Sequence, residues 1–264
     1  MEADIIIEGF KQSLETHGLK YTTLVGDGDS SVYSKLLRTK PYGPQTIIQK
    51  VECRNHLLRN FSSNLRDILK RKRSSSTNME VPVALRKEVE INAKRLRFSV
   101  SKALKFRLSE KHDYQTTISK LHQDILNIPS HVFGEHERCL EIQYFGCVKK
   151  PHNINFVPAM KECGLYRDVE ICMNRLILNL DSLVSNMDNN LAEHYNSIVS
   201  KFVEGKRVNF SKRGSYQTRC EAAAISYNAG PNYYSIITET SLSERRNIFT
   251  NKHIQKMNCT TNVP

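Results

Sequence analysis

No apolar run in this sequence approaches the roughly 18 residues that a membrane-spanning helix needs, which excludes a helical integral membrane protein. Glu2 and Asp4 put charge where a signal peptide would need apolar continuity, so the expectation is a soluble intracellular protein. A disulfide framework is missing too: the seven cysteines are odd in number and irregularly spaced, as suits a reducing compartment. Carboxylates are scarce over one long stretch. Between Arg54 and Lys111, five acids (Asp67, Glu80, Glu88, Glu90, Glu110) face sixteen Lys and Arg, and sixteen minus five leaves +11 of the chain's net +12. Charge so concentrated points to a polyanion, nucleic acid ahead of a membrane surface because no broad apolar face accompanies it. A solvated basic helix is the competing reading. What is present is ample: 264 residues can hold one large or two modest domains and bury a real core.

The chain is organised around Leu24-Val25-Gly26-Asp27-Gly28-Asp29-Ser30-Ser31, where an apolar run stops at two acids separated by a glycine. Residues 20–25 suit a short buried strand, and Gly26 and Gly28 let the backbone turn after it. Carboxylates at the carboxyl end of a strand open onto the crevice where α/β sheets bind ligands, and there they can hold a divalent cation. Ordinary turn chemistry explains the same residues. A calcium loop does not, because the sixth position from Asp27 is Val32 instead of Gly and the twelfth is Arg38 instead of Glu. Around this stretch, residues 3–16 have helical periodicity and Gly18 as a stop. Ser30 or Ser31 caps a helix to about Arg38, residues 46–53 read as a strand and 54–70 as a helix. This alternation argues for a layered sheet with right-handed crossovers.

Residues 70–78 form a break: the basic cluster Lys70, Arg71, Lys72 and Arg73, then Ser74 to Asn78, a run too polar to pack. The cluster reads as a nuclear address or a phosphate-contacting loop. Pro82 opens a long helix to about Arg107, with Leu85, Val89, Leu96, Val100 and Leu104 on one face. Residues 114–126 form another helix, and Pro129 ends the block. His131, His136, Cys139 and Cys147 invite a zinc reading, chiefly His136, Cys139 and Cys147, although His136-x2-Cys139-x7-Cys147 matches no strong zinc pattern. Buried cysteines and surface histidines are the alternative. Residues 155–185, with Cys163 and Cys172, are helical. From Asn190 a further helix carries Leu191, Tyr195, Ile198, Val199 and Phe202 on one face, and Asn190 with Glu193 approximates a capping box. Lys206, Arg207, Lys212 and Arg213 form a second basic cluster after Gly205, residues 216–227 look helical, and the polar tail beyond Pro231 should fray.

Four stretches, in their order and spacing, resemble the catalytic region of Mutator-like transposases. They are Met1-Glu2-Ala3-Asp4-Ile5-Ile6-Ile7-Glu8-Gly9-Phe10, Gly26-Asp27-Gly28-Asp29-Ser30-Ser31-Val32-Tyr33, Glu52-Cys53-Arg54-Asn55-His56, and Asn190-Leu191-Ala192-Glu193-His194-Tyr195-Asn196 running into residues 202–210. The resemblance implies a ribonuclease H-like α/β fold with a large α-helical insertion, and cut-and-paste chemistry on DNA in the nucleus. Its Asp-Asp-Glu triad holds two Mg²⁺ (or Mn²⁺) ions, because one ion must activate the attacking oxygen and the other stabilise the leaving one. Asp27 looks like the second acid and Glu193 like the third. Cys53 and His56 resemble the family's Cys-x-x-His pair, with Asp29 as a supporting acceptor.

The family's first Asp lies on the first of three antiparallel strands ahead of the first helix, and this sequence opens at that helix; Asp4, inside it, cannot take the role. The expectation is a partial ribonuclease H-like fold lacking its first three strands. Its first part is 1–70, a basic helical insertion is 71–185, its last part is 186–230, and 231–264 is a flexible tail. Catalysis is then nearly lost, and the alternative is a non-catalytic DNA-binding protein of transposon origin. The uncovered strand edge invites pairing with another chain, a homodimer included.

Overall fold

The computed structural model describes residues 2–28, 31–141, 147, 154–203, 215–235 and 238. It divides into two compact units, Met1–Asp188 and Asn189–Pro264. The first opens with α1 (Glu2–His17), β1 (Thr23–Gly26), α2 (Ser31–Thr39) and β2 (Gln49–Glu52). The two strands pair in parallel with Val25 beside Val51, the pairing that a helical crossover between them permits. Ile7 and Phe10 of α1, Val32 and Leu36 of α2 and Ile48 bury one another, with Leu24 packed at the edge. The α1 and α2 residues recur at helical spacing, so each helix turns one apolar stripe inward. Tyr42 ties the loop between α2 and β2 to α1: its hydroxyl lies 2.6 Å from Ser13 Oγ and accepts the Tyr21 N–H at 3.0 Å. Asp4 pairs with Lys35 across the two helices, and that ammonium holds its carboxyl down at about 2. Both strands are shorter than the sequence suggests, because ladder bonds run only from Thr23↔Gln49 to Gly26↔Glu52.

Among the described residues seven helices follow in this unit: α3 (Arg54–Lys70), α4 (Val83–Ser109), α5 (Tyr114–Val132), α6 (Glu137–Glu141), α7 (Val157–Glu162), α8 (Leu165–Ile177) and α9 (Leu180–Ser185). Leu58, Phe61, Leu65 and Ile68 of α3 recur every three or four residues and are buried with Leu85, Val89, Leu96, Val100 and Leu104 of α4. Leu121, Ile125 and Ile128 of α5 and Val169, Met173 and Leu176 of α8 close the same core. Each such side chain stabilises the fold by about 1.5–3 kcal/mol relative to exposure. Buried charge lies inside it. Arg107 donates through Nε and Nη2 to the two carboxylate oxygens of Asp124 at 2.6 and 2.8 Å, and through Nη1 to Glu110 at 2.9 Å. Burial pushes the Asp124 carboxyl up and Arg107 draws it back, while Asp124 holds the guanidinium still more firmly as a cation. The described residues are therefore mostly helical with a small two-stranded parallel sheet, an α/β arrangement at its plainest.

Three expectations are corrected. The run 74–78 is held in place, with Ser74 buried and residues 75–78 exposed but tethered. Asp168, buried in the first turn of α8, accepts the N–H groups of Ser75 and Ser76 at 2.9 and 3.2 Å, and Thr77 Oγ1 donates to the Cys163 carbonyl. A polar run can be fixed at the surface when a partner distant in sequence satisfies its backbone. Pro129 lies inside α5, which continues to Val132; near a helix end a proline forfeits one hydrogen bond without halting the chain. Finally, the N-cap of α10 (Asn190–Phe202) is Asn189 rather than Asn190, so Glu193 sits four residues beyond the cap and out of register for a capping box. In this second unit α10 packs on α11 (Ser215–Ala229), with Tyr195 and Tyr227 edge to face at 5.5 Å and Arg219 donating to the Phe202 carbonyl at 2.6 Å. The fraying expected beyond residue 231 falls almost wholly outside the described residues.

Candidate functional site

Parallel pairing brings the carboxyl ends of β1 and β2 side by side, and Asp27 follows β1 directly, exposed to solvent. At the neighbouring strand end the Cys53 N–H donates to the Gly26 carbonyl at 2.7 Å, and Cys53 is the N-cap of α3. The first turn of α3 thus begins beside the acid, at the end of the helix that carries partial positive charge. Glu52 is held by Lys50 at 2.8 Å, and its N–H by Ser182 Oγ at 3.0 Å. Arg54 draws in the end of the unit: its N–H donates to the Met187 carbonyl at 3.0 Å, and its guanidinium meets Asn186 at 2.5 Å and Asp188 at 3.5 Å.

The sequence-predicted residues distribute unevenly around this end. Cys53 is fully buried, and His56 is half-buried with Nε2 at 3.2 Å from an Arg59 nitrogen. Glu193 is exposed in the first turn of α10, in the second unit, whereas Asp27 is in the first. Asp29 and the cluster Lys206, Arg207, Lys212 and Arg213 lie outside the described residues.

Positive charge collects beside the carboxyl ends. A cleft of about 660 Å³ between α3 and α4 is lined by Arg54, Arg97 and Lys105, with Asn55, Ser101 and Asn186 among the polar residues. Arg97 and Lys105 are exposed, four residues to either side of Ser101 on α4. They were visible in the sequence only as part of a long basic run; the four-residue spacing was the available sign that they share a stripe. Lys70, Arg71, Lys72 and Arg73 are all exposed: Lys70 pairs with Asp67 at 2.9 Å, Arg71 donates to Ser75, and Arg73 donates to the Asn78 carbonyl. Arg107 does not belong to this surface, since Asp124 neutralises it in the core.

A second constellation assembles at the end of α5. The turn Phe133-Gly134-Glu135 folds His136 back towards His131, and Gly134 makes it possible: φ is +97°, and a Cβ there would lie 2.3 Å from the Ile154 carbonyl oxygen. One ligand atom from each of His131, His136, Cys139 and Cys147 lies within 4.8 Å of the others. His131 is buried, and burial first, then the neighbouring His136, Arg95 and Lys102, lowers its pKa to about 4. The described cysteines, Cys139 and Cys147 included, are thiols and not half-cystines. The structure therefore gathers all four residues of the zinc reading, His131 together with His136, Cys139 and Cys147.

No helix among the described residues is long and apolar enough to cross a membrane. Comparison with curated proteins and with solved structures finds no match. Residues 1–147, more than half of the chain, match the profile of the Mutator-like transposase family. That match runs through α1, the Asp27 turn, both strands, the basic helices α3 and α4, and α5 with its histidine and cysteine turn. This chain belongs to the Mutator-like transposase family.

Proposed function

We propose that the chain is a transposase-derived DNA-binding protein whose basic α3–α4 surface contacts phosphates without reading bases, and whose Asp27 and Glu193 are two of the acids of a ribonuclease H-like Asp-Asp-Glu site. The observation that carries the reading is the cleft lined by Arg54, Arg97 and Lys105, adjoining the strand ends that present Asp27. Lysine and arginine on exposed helical faces meet phosphates at little cost in desolvation, and the counterions they release make such binding fall steeply with salt. The basic loop Lys70 to Arg73 extends the same kind of surface, and a nucleus is where it would find its partner.

Asp27 suits Mg²⁺ or Mn²⁺: it is an exposed, hard oxygen donor, and Mg²⁺ characteristically takes one or two carboxylates and completes its shell with water and substrate phosphate. When bound, such ions activate an attacking oxygen and stabilise a leaving one. The chain's own residues would hold the phosphate backbone with Arg54, Arg97 and Lys105 and align it against Asp27.

The resemblance supplies candidates for two of the three acids within these residues, and binding and strand cleavage are tested separately. Fluorescence anisotropy with a DNA duplex, read across a salt series, tests the binding half; an affinity independent of salt would refute it. A nicking assay in Mg²⁺ or Mn²⁺ tests the other half. Cleavage that disappears in Asp27→Ala would assign that acid to an active site, and cleavage unchanged in the variant would remove it from one.

A further inference from the structure

We propose that His131, His136, Cys139 and Cys147 form a closed, structural zinc site that staples the chain's excursion between α5 and α7 to the end of α5. The proposal goes beyond the DNA-binding reading and does not depend on it.

Zinc bonds thiolate sulfur at about 2.3 Å and imidazole nitrogen at about 2.0–2.1 Å, and across a tetrahedral angle those bonds put sulfur and nitrogen about 3.6 Å apart. Cys139 Sγ lies 3.5 Å from His131 Nδ1 and 3.9 Å from His136 Nδ1, and Cys147 Sγ lies 3.6 Å from His136 Nδ1. All four atoms fall within 4.8 Å of one another, so one point can serve as their common centre. A ring nitrogen against a sulfur is a weak hydrogen bond at best, and three such contacts are a poor reason to gather four groups. A shared cation is a better one, and two sulfurs with two nitrogens in tetrahedral array is the donor set that selects Zn²⁺.

The surroundings agree. Asn127, wholly buried on α5, donates from Nδ2 to Cys139 Sγ at 3.3 Å, the kind of outer contact that stabilises and orients a thiolate ligand. His136 Nε2 is buried without a hydrogen-bond partner among the described residues. Burying an imidazole in that state is unfavourable unless its other nitrogen gains more than a weak contact to sulfur. With four protein ligands no position is left for substrate or water, so the centre would be structural rather than catalytic.

Its position explains what it would do. The Phe156 N–H donates to the Phe133 carbonyl at 2.9 Å, so the chain leaves α5 and returns to the same place. His131 lies in the last turn of α5, His136 and Cys139 at the start of the excursion, and Cys147 further along it. An ion joining these four would hold the excursion against α5 at a second point, fixing one end of the helical core that carries α4 and its cationic stripe.

The test uses the whole chain, purified without a chelating tag, with metal content read by inductively coupled plasma mass spectrometry. One zinc per chain is expected. Replacement by Co²⁺ should give the visible d–d bands of a tetrahedral ion and a thiolate charge-transfer band, and both should weaken in Cys147→Ser. Cys139 is deeply buried and its replacement can unfold the chain, so Cys147→Ser and His136→Asn, at half-buried positions, serve as the deciding variants. Circular dichroism confirms that they are folded. Loss of stoichiometric zinc in those folded variants supports the site. Three results would overturn it: no zinc or cobalt uptake by the folded wild type, full zinc retention in both variants, or a Cys139–Cys147 disulfide found by mass spectrometry of protein kept from air.

Discussion

Asp124 is where the fold can be tested most sharply. Its carboxylate receives two hydrogen bonds from Arg107, and the two residues are 0% and 6% exposed, so neither charge has water to fall back on. Replacing Asp124 by Ala leaves the guanidinium buried, with Glu110 as the acid still beside it. Breaking a buried pair from one side costs about 3–5 kcal/mol, against a net stability for a domain of about 5–15 kcal/mol. With a urea slope of about 2 kcal/mol/M, the midpoint should fall by about 1.5–2.5 M. Asp124→Asn keeps one acceptor and should lose less. The double variant Arg107→Met/Asp124→Leu removes both charges and should recover most of the loss, because well-packed apolar side chains replace a buried pair at little cost. Urea titration followed by circular dichroism, with the slope checked for constancy, reads all three. An Asp124→Ala variant within about 1 kcal/mol of wild type, or a double variant no better than Asp124→Ala, would refute the claim that desolvated charge joins α4 to α5.

Other consequences are open to measurement. Arg97→Gln with Lys105→Gln should weaken duplex DNA binding about equally across sequences and reduce the salt slope by about 1 for each phosphate left without its cation; an unchanged slope removes the cleft from the interface. Gly134→Ala must place a side chain at positive φ and against the Ile154 carbonyl, a strain of about 1–3 kcal/mol. At about 2–4 °C per kcal/mol, calorimetry should show a clear drop in melting temperature, and an unaltered one would mean that the turn relaxes freely. Asp168→Ala removes the acceptor of two backbone N–H groups, so limited proteolysis should begin to cut near residues 74–78. Equal resistance in the variant and the wild type would show that other groups hold that loop.

The helices were legible wherever burial is one-sided. α3 occupies the residues its periodicity marks, and the five apolar positions expected on the inner face of α4 are all buried. The turn at Asp27 follows a strand as the pattern of apolar run, glycine and acid suggested, and the parallel pairing with β2 sets it beside Cys53. Harder to see were groups whose behaviour depends on partners far along the chain. Ser75 and Ser76 are held at the surface because Asp168 accepts their N–H groups, Arg107 leaves the basic surface because Asp124 neutralises it, and the ligand atoms of His131, His136, Cys139 and Cys147 meet because Gly134 reverses the chain.

By itself, then, the amino-acid order determined the charge of the α3–α4 segment, the apolar stripes that make those helices, and the family likeness carried by four spaced motifs. Those are local properties, written in side-chain type and in the period at which it recurs. Which cations stay on the surface, which serines are tethered and which thiols meet imidazoles was decided only by tertiary structure. The energy of a polar or charged group is set by what surrounds it in space, and the chain brings those surroundings from tens of residues away.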